Sequence, residues 1–249
     1  MAQEETLYRR IQKAAFLRRP NRFIAEVRLE NGQELRAHVK NTGRCAELLT
    51  PGAAVYLEFS ENPGRSTPCD LVAVVKERPG GPLLINMDSA APNQAAGKWL
   101  AGGGLGRLDL LRAEYRLGDS RFDFYGEQGG RPLLVEVKGC TLEENGVAMF
   151  PDAPTLRGLK HVRELTGRAR QGWRCCVLLV VQMKGMRVFT PNWATHREFG
   201  LALAEAAAAG VEVRAMDCAV TPWDMRIDQP VPVDLSLPEP AGPGGKSPK

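Results

Sequence analysis

The sequence predicts a mixed α/β protein made of a small β-barrel followed by a larger α/β domain. Short alternating strands separated by turn residues fill residues 1–82. Residues 83–227 read as helix, three strands, helix, strand, helix and strand, which is typical of a mixed sheet covered by helices. A Pro- and Gly-rich segment over 79–82 separates the two parts and predicts an exposed break between domains.

The strands of the first part are predicted from alternation and turn signals. Apolar and polar residues alternate over 23–29 and again over 33–39, on either side of Asn31-Gly32, and this pattern is a strong β-hairpin signal. Two more strands are predicted over 54–59 and 71–76. Several short strands within about 80 residues favour a small barrel of the OB-like type, with a small sandwich as the alternative.

The elements of the second part follow from periodicity and composition. Helices are predicted over 92–100, over a segment with the apolar stripe Leu156, Leu159, Val162 and Leu165, and over 199–209. Strands are predicted over 112–117, 121–125, 133–138, 175–182 and 211–215, and a tail follows over 228–249. The continuously apolar strand at 175–182 is typical of one buried on both faces. The tail is rich in Pro and Gly, which predicts disorder from Asp228 onwards.

Composition excludes several classes of protein and favours a cytoplasmic one. No apolar run is long enough to span a bilayer, and no signal peptide is recognisable at the N-terminus. The six cysteines are scattered without a CxxC pair, which argues against a disulfide framework or a zinc site. The net charge of +4 is concentrated in two stretches: residues 9–22 hold six basic residues and no acid, and residues 157–174 hold six against one acid. Such clusters can neutralise phosphates, although a solvated basic surface is the alternative.

A candidate metal site is predicted from two neighbouring strands. Residues two apart share a strand face, so Glu136 and Lys138 lie on the same face as Leu134. If the preceding strand pairs as a hairpin, with Phe122 and Phe124 on one face and Asp123 on the other, Asp123 approaches both. Two carboxylates suit Mg²⁺ or Mn²⁺, with the Val137 carbonyl as a third ligand, and the lysine can offset phosphate charge or orient water.

The spacing of these residues is also a known nuclease signature. Asp, a short interval, and then Glu-x-Lys within helix, three strands, helix and strand is the pattern of the PD-(D/E)xK nuclease-like superfamily. A structural ion pair between Lys138 and one of the carboxylates is the alternative reading. Glu114 is a candidate fourth member of the site, and an exposed edge-strand acid is its alternative.

Several sequence blocks resemble the sugar fermentation stimulation protein A family. They run in order through most of the chain and comprise Asn41-Thr42-Gly43-Arg44, Glu47-Leu48-Leu49, Pro51-Gly52, Ser120-Arg121-Phe122-Asp123-Phe124, Glu136-Val137-Lys138 and the block from Phe150 to His161. The resemblance implies an OB-like domain, a PD-(D/E)xK restriction-endonuclease-like domain with Asp123, Glu136 and Lys138 as its triad, sequence-nonspecific DNA binding and a role in regulating sugar utilisation.

Nucleic-acid contacts are expected from the basic clusters and the family blocks. Arg157 and His161 are four residues apart on one helix face, and His38 and Lys40 share a strand, although a cap, a surface face or a structural histidine would also explain them. The full set is Arg18, Arg19, Arg22, His38, Lys40, Arg44, Arg65, Arg121, Arg157, Lys160 and His161. In the block from Phe150 onwards, Asp152 is expected to cap the helix.

The sequence therefore predicts a DNA-binding protein with a nuclease-like metal site. One alternative is a binding protein whose nuclease fold has lost its chemistry. The others are an active Mg²⁺-dependent DNA or RNA nuclease and an RNA- or nucleotide-processing enzyme. A helix-turn-helix regulator is disfavoured because no such tandem of helices is predicted.

Overall fold

The first six strands form a closed barrel with one additional strand. The computed structural model describes residues 6–41 and 43–238 of the chain. The strands are β1 (Ile11–Asn21), β2 (Ile24–Leu29), β3 (Glu34–Val39), β4 (Ala54–Phe59), β5 (Cys69–Lys76) and β6 (Leu83–Asn86). They are ordered β3-β2-β1-β4-β5-β6, and β3 also pairs in parallel with β5, which closes the first five strands into a barrel. This closure confirms the OB-like barrel over the sandwich.

The predicted hairpin and the predicted break both lie inside this sheet. β2 and β3 pair on either side of Asn31-Gly32, and Gly32 has a φ of 85°, a conformation that glycine adopts without strain. The exposed segment 79–82 forms the turn between the antiparallel strands β5 and β6. Both flanks of that segment therefore belong to the first sheet, which continues to Asn86, past the predicted boundary at residue 82.

The second part is a six-stranded mixed sheet with helices on both faces. Its elements are α1 (Ala91–Ala101), β7 (Leu110–Leu117), β8 (Ser120–Gln128), β9 (Arg131–Cys140), β10 (Leu142–Glu144), β11 (Val147–Phe150), α2 (Leu156–Arg170), β12 (Arg174–Val181), β13 (Val188–Pro191), α3 (Arg197–Ala208), β14 (Glu212–Val220) and β15 (Met225–Val231). The main sheet is ordered β15-β14-β12-β9-β8-β7. The central strand β12 is parallel to β9 and β14 and is almost wholly buried, as predicted.

Two segments predicted as irregular contain strands. The segment 139–153, left without a predicted helix or strand between the strand 133–138 and the following helix, includes the hairpin β10–β11, which joins β13 in a separate three-stranded sheet. The predicted disordered tail begins inside β15, where backbone pairing with β14 continues to Val231 despite Pro230. Residues 239–249 of that tail lie outside the described residues. The prediction of disorder from Asp228 is therefore wrong for the part that the structure describes.

A single hydrophobic core joins the barrel to the α2 and α3 face of the sheet. Its buried members include Val74 and Ile85 from the barrel region together with Leu159, Val181 and Phe189 from the second part. A second cluster fills the space between α1 and the other face. Because the first core is continuous, the end of β3 is held close to the ends of β9 and β12. Among the described residues, no helix is long and apolar enough to cross a membrane.

Candidate metal and nucleic-acid site

The acidic site lies where β8 separates from its two neighbours. The β8–β9 ladder begins only at Phe124, which pairs with Val135, and the β7–β8 register omits the pair Glu114 and Asp123. Glu114 has a φ of 53° at this point, so the backbone of β7 is irregular opposite Asp123. The backbone N–H of Val137 donates to Oδ2 of Asp123 at 2.7 Å. The Asp123 carboxylate thus accepts the hydrogen bond that a strand carbonyl would accept in a regular ladder. This bond holds Asp123 at the point where the β8–β9 ladder is interrupted.

The same irregularity changes the faces of β8. Phe122 packs in the core on the α2 side, whereas Phe124 packs in the cluster on the α1 side. The prediction that both rings share one face is therefore wrong, because the break at Asp123 interrupts the two-residue alternation. The alternation predicted for β9 is confirmed: Leu134 faces the α2 side and Val135 faces the α1 side.

Glu136 is the most buried acid of the site and has one unsatisfied oxygen. Its side chain is 3% exposed, and Oε1 accepts a hydrogen bond from Nζ of Lys138 at 2.5 Å. Nδ1 of His161 lies 2.6 Å from the same oxygen, and since a carboxylate only accepts, the Nδ1–H tautomer makes this contact. Burial alone would raise the pKa of Glu136, but the hydrogen bonds from His161 and Lys138 lower it overall. Oε2 is buried and has no hydrogen-bond partner.

Asp123 is held from two sides and lies near a second negative charge. Nδ2 of Asn93, near the start of α1, donates to Oδ1 at 2.8 Å, while Val137 occupies Oδ2. Burial raises the pKa of Asp123, and the negative charge of Glu136 raises it further. Two carboxylates that disfavour each other's ionisation gain from a cation placed between them.

The donor set fits a hard divalent cation with few protein ligands. Within residues 6–41 and 43–238, no three His, Cys, Asp or Glu side chains are grouped to hold a metal ion. Mg²⁺ commonly uses one or two carboxylates and completes its octahedron with water and substrate phosphate. Asp123 and Glu136, with its unpartnered Oε2, are the two carboxylates that could hold such an ion. The Val137 carbonyl as a third ligand stays a prediction.

Two residues predicted near the site have different surroundings from those expected. Glu114 is exposed and lies 3.7 Å from Arg121, so it does not join the two acids. His161 is buried against Glu136 and does not share an exposed face with Arg157. Because a helix has 3.6 residues per turn, Leu156 lies on the same face of α2 as Arg163, seven residues later, and both are exposed. The apolar stripe therefore excludes Leu156 and includes His161.

The helix cap also differs from the expectation. Thr155, with an extended backbone, is the N-cap of α2, and its Oγ1 accepts from the N–H of Gly158 at 3.1 Å. Burial raises the pKa of Asp152, and the nearby backbone N–H groups of Asp152 and Ala153 oppose this rise. Oδ2 of Asp152 lies so close to Gly43 that a β-carbon there would be 1.9 Å from it. Asp152 therefore packs the loop after β3 against the second part.

Arg19 is a structural residue of that loop. Its two terminal nitrogens donate to the backbone carbonyls of Gly43, Arg44, Arg22 and Asn41 at 2.6–2.9 Å. A guanidinium that serves four carbonyls has little capacity left for phosphate. The predicted nucleic-acid contact at Arg19 is therefore replaced by a role in ordering the loop.

Three more predicted contacts belong to an ion-pair cluster between the barrel and the second part. Asp70 lies within ion-pair distance of Arg65, of His38 at 3.1 Å and of Lys40 at 3.5 Å. Lys40 also lies 2.8 Å from the buried Asp88, just before α1. We call these five residues the interdomain cluster. Lys40, Arg65 and His38 already have carboxylate partners here, which reduces what they can offer to phosphate.

The remaining predicted contacts are exposed and better placed for phosphate. Arg18 is exposed but pairs with Glu26 at 2.7 Å. Arg22 lies over the ring of Phe23, 4.7 Å from its centroid, on the barrel surface. Exposed basic side chains on the loop after β3, on β8 and on α2 are Arg44, Arg121, Arg157 and Lys160.

Sequence reasoning missed several residues of the site region. Asn93 of α1 donates to Asp123. Nothing in the sequence around it, apart from the preceding Pro92, marks this helix as part of a site. Gln182, at the end of the buried strand, donates to the backbone carbonyls of Asn86 and Asp88 at 3.0 and 3.2 Å. Its polarity at the end of an apolar run was the one available signal.

Comparisons with known proteins agree with this architecture. The family model described as the SfsA N-terminal OB domain matches residues 17–85, and the sugar fermentation stimulation protein RE domain matches residues 90–224. A sugar fermentation stimulation protein homolog of Ruminiclostridium cellulolyticum is 47% identical over 229 residues, covering 92% of this chain and 99% of the relative. One of Desulfitobacterium hafniense is 49% identical over 214 residues, covering 86% and 92%. The structure of Pyrococcus furiosus SfsA in complex with Ca²⁺ matches with a TM-score of 0.78 and 29% identity, covering 90% and 96%.

Proposed function

The chain belongs to the sugar fermentation stimulation protein family, and we propose that it binds DNA without sequence preference and holds a divalent cation at Asp123 and Glu136. The observation that carries the metal site is the buried Oε2 of Glu136, which has no hydrogen-bond partner beside a second, half-buried carboxylate. An orphaned buried oxygen is costly unless a ligand satisfies it. The Ca²⁺ in the Pyrococcus furiosus relative supports a divalent ion in this fold.

The residues of the site divide the work of holding such an ion and a phosphate. A bound divalent cation would neutralise phosphate charge and lower the pKa of a coordinated water. Asn93 and the Val137 N–H hold the Asp123 carboxylate in one orientation. Lys138 and His161 both bind Oε1 of Glu136, which leaves Oε2 for the cation. Mg²⁺ and Mn²⁺ are the proposed ions, since both prefer oxygen ligands.

Calorimetric titration with Mg²⁺ and Mn²⁺ tests the metal site. The wild type should bind one ion, and Asp123→Asn should remove binding, since an amide supplies a weaker, neutral oxygen. Glu114→Gln is the matched control, because Glu114 is an exposed acid on the adjacent strand and should not affect the titration. An Asp123→Asn variant that binds metal as the wild type does would exclude this site.

DNA binding is proposed to use the exposed basic residues Arg22, Arg44 and Arg157, on the barrel, the loop after β3 and α2. Replacing all three with Glu should weaken binding to unrelated sequences equally and reduce the salt slope by about 1 per lost contact. Arg214→Glu, on the exposed part of β14, is the control. Affinity that does not change between dilute and physiological salt would contradict phosphate-driven binding. The role in sugar utilisation stays a prediction from the family resemblance.

An active nuclease, with DNA or RNA as the polymer, is the second candidate. Lys138 favours it, because its Nζ contacts Glu136 while its side chain remains 17% exposed at the site, where it could orient water or offset phosphate charge. Labelled single- and double-stranded DNA and RNA should be cleaved with Mn²⁺ or Mg²⁺ and not with chelator. Lys138→Ala should abolish cleavage and retain metal binding. Metal binding by the wild type without cleavage of any polymer would leave a binding protein.

A further inference from the structure

A groove beside the acidic site has the dimensions and chemistry of a nucleotide pocket. Its volume is about 450 Å³, within the range of small-ligand sites. Its walls come from β8 and from the first turns of α2 and include Ser120, Arg121, Leu156, Arg157, Lys160 and His161.

A single imidazole separates the groove from the acidic site. His161 lines the groove and also binds Oε1 of Glu136 at 2.6 Å. A group bound in the groove would therefore neighbour whatever phosphate lies at Asp123 and Glu136. This places the groove next to the proposed metal site rather than on a separate surface.

The groove is basic, and its most available cation is Arg157. Arg121 and Lys160 each lie near an acid, Glu114 at 3.7 Å and Glu164 at 3.6 Å, and Asp119 also lines the groove. Arg157 is exposed and makes no ion pair within the described part of the chain. It lies in the first turn of α2, where backbone N–H groups without helical acceptors also favour an anion.

Two further groups in the walls lack a partner that a nucleotide could supply. Ser120 is only 4% exposed, and its buried hydroxyl has no hydrogen-bond partner. The side chain of Leu156, the first residue of α2, is 76% exposed at the edge of the groove. A ligand with both a phosphate and a flat apolar face would match this combination.

We propose that the groove takes one unstacked nucleotide, so that the preferred polymer is single-stranded DNA or a duplex opened by a mismatch. In a paired duplex each base face is covered by its neighbours, so only a base that has left the stack can cover Leu156. The phosphate of that nucleotide lies at Arg157 and the N-terminus of α2. This inference rests on the proposed binding of DNA at the acidic site.

Binding of oligonucleotides that carry 2-aminopurine tests the proposal. Three probes of one sequence are compared: a single strand, a duplex with one mismatch at the reporter, and a fully paired duplex. The wild type should bind the first two more tightly and change their reporter fluorescence. Leu156→Asn should weaken binding to these two by roughly 3- to 10-fold and leave the paired duplex unchanged, since the lost contact is apolar burial of one side chain.

Matched controls separate this contact from general surface effects. Leu201→Asn, at an exposed leucine on α3, should bind all three probes as the wild type does. Arg157→Gln should weaken binding to the single strand more than Arg163→Gln, an exposed arginine later in α2. Unchanged binding by Leu156→Asn, or an equal loss for the paired duplex, overturns the unstacked nucleotide and leaves salt-dependent DNA binding intact. A wild type that binds none of the probes overturns both proposals.

Discussion

The interdomain cluster and the acidic site are both groups of buried or half-buried charges, but they differ in how completely the carboxylates are paired. Each oxygen of Asp70 and of Asp88 has a donor or cation nearby, from Arg65, His38, Lys40, Tyr8 and the Ala90 N–H. At the acidic site, Oε2 of Glu136 has none. Burial costs both groups the same kind of desolvation, and only the interdomain cluster has a partner within the chain for every oxygen of its carboxylates.

The pKa directions separate Asp70 from Asp123, whereas Glu136 resembles Asp70, because the hydrogen bonds from His161 and Lys138 lower its pKa despite the unpartnered oxygen. Burial would raise the pKa of Asp70, but Arg65 and Lys40 lower it overall. Burial raises the pKa of Asp123, and Glu136 adds to the rise. A carboxylate whose pKa falls contributes to folding, whereas one whose pKa rises is held ionised at the expense of stability. We infer that a complete set of partners marks a structural charge cluster and an incomplete one marks a ligand site.

The largest expected effect is at the interdomain cluster. Asp70→Ala leaves Arg65, Lys40 and His38 with one acid fewer, and removal of one side of a buried pair is strongly destabilising. Because the side chains of Arg65, Lys40 and His38 are about one-third exposed, we expect a loss of about 3 kcal/mol of unfolding free energy, the lower end of the cost of breaking a buried ion pair. Urea denaturation measures it, with Glu61→Ala, an exposed barrel acid, as the control. An Asp70→Ala protein as stable as the wild type would remove the contrast.

The next largest expected effect is stabilisation of the protein by a divalent cation bound at the acidic site. Mg²⁺ or Mn²⁺ at 100 times its dissociation constant should raise the unfolding free energy of the wild type by about 2.7 kcal/mol. Asp123→Asn should show no such increase, while Glu114→Gln should keep it. Thermal melts with and without metal measure the difference. Equal stabilisation of all three proteins would mean that the ion binds elsewhere.

Glu143 offers a second structural acid for the comparison, with an effect of about 2 kcal/mol. Its side chain is 2% exposed, and it accepts from Lys76 of the barrel at 2.7 Å and from the Gly146 N–H at 2.7 Å. Burial would raise the pKa of Glu143, but these donors lower it. Its contribution is therefore complete above the ordinary glutamate pKa of about 4.3 and is lost as pH falls through the lower folded pKa.

Denaturation of Glu143→Gln at a series of pH values checks this sign. The deficit relative to wild type should be greatest at neutral pH and shrink in strong acid. The exposed neighbour Glu144, changed to Gln, should show neither the deficit nor the pH dependence. A deficit of Glu143→Gln that grows on acidification would contradict the assignment of Glu143 as a paired structural acid.

The sequence could predict elements whose signals are local. The hairpin at Asn31-Gly32, the buried strand β12 and the shared face of Glu136 and Lys138 all follow from periodicity and turn chemistry within a few residues. The basic residues within β1 obscured its alternation, and that strand was not predicted. These local signals explain why a small barrel and the order of the three helices and the strands β7, β8, β9, β12 and β14 could be predicted without tertiary information, whereas β1, β6, β10, β11 and β13 were not.

What could not be predicted depends on contacts between distant segments. Asn93 meets Asp123 only because β8 leaves its ladder, an irregularity with no signature in the residues themselves. Arg19 and Lys40 are typical phosphate contacts by type, and only the fold shows that carbonyls or carboxylates already occupy them. Charge patterns therefore identify candidate contacts, while partner geometry decides which cations remain available.

The smallest expected effect is also the sharpest test of the comparison. Without metal, Asp123→Asn removes a half-buried charge that burial and Glu136 both disfavour. The amide oxygen of the new side chain can still accept from the Val137 N–H. The Asn93 amide can rotate so that its oxygen accepts a hydrogen bond from the new NH₂ group. We expect an unfolding free energy equal to the wild type or higher by about 1 kcal/mol at most. Chelator-treated protein in urea measures this. A loss approaching that of Asp70→Ala would show that Asp123 is itself a structural acid, and the acidic site would then be another charge cluster that holds the fold.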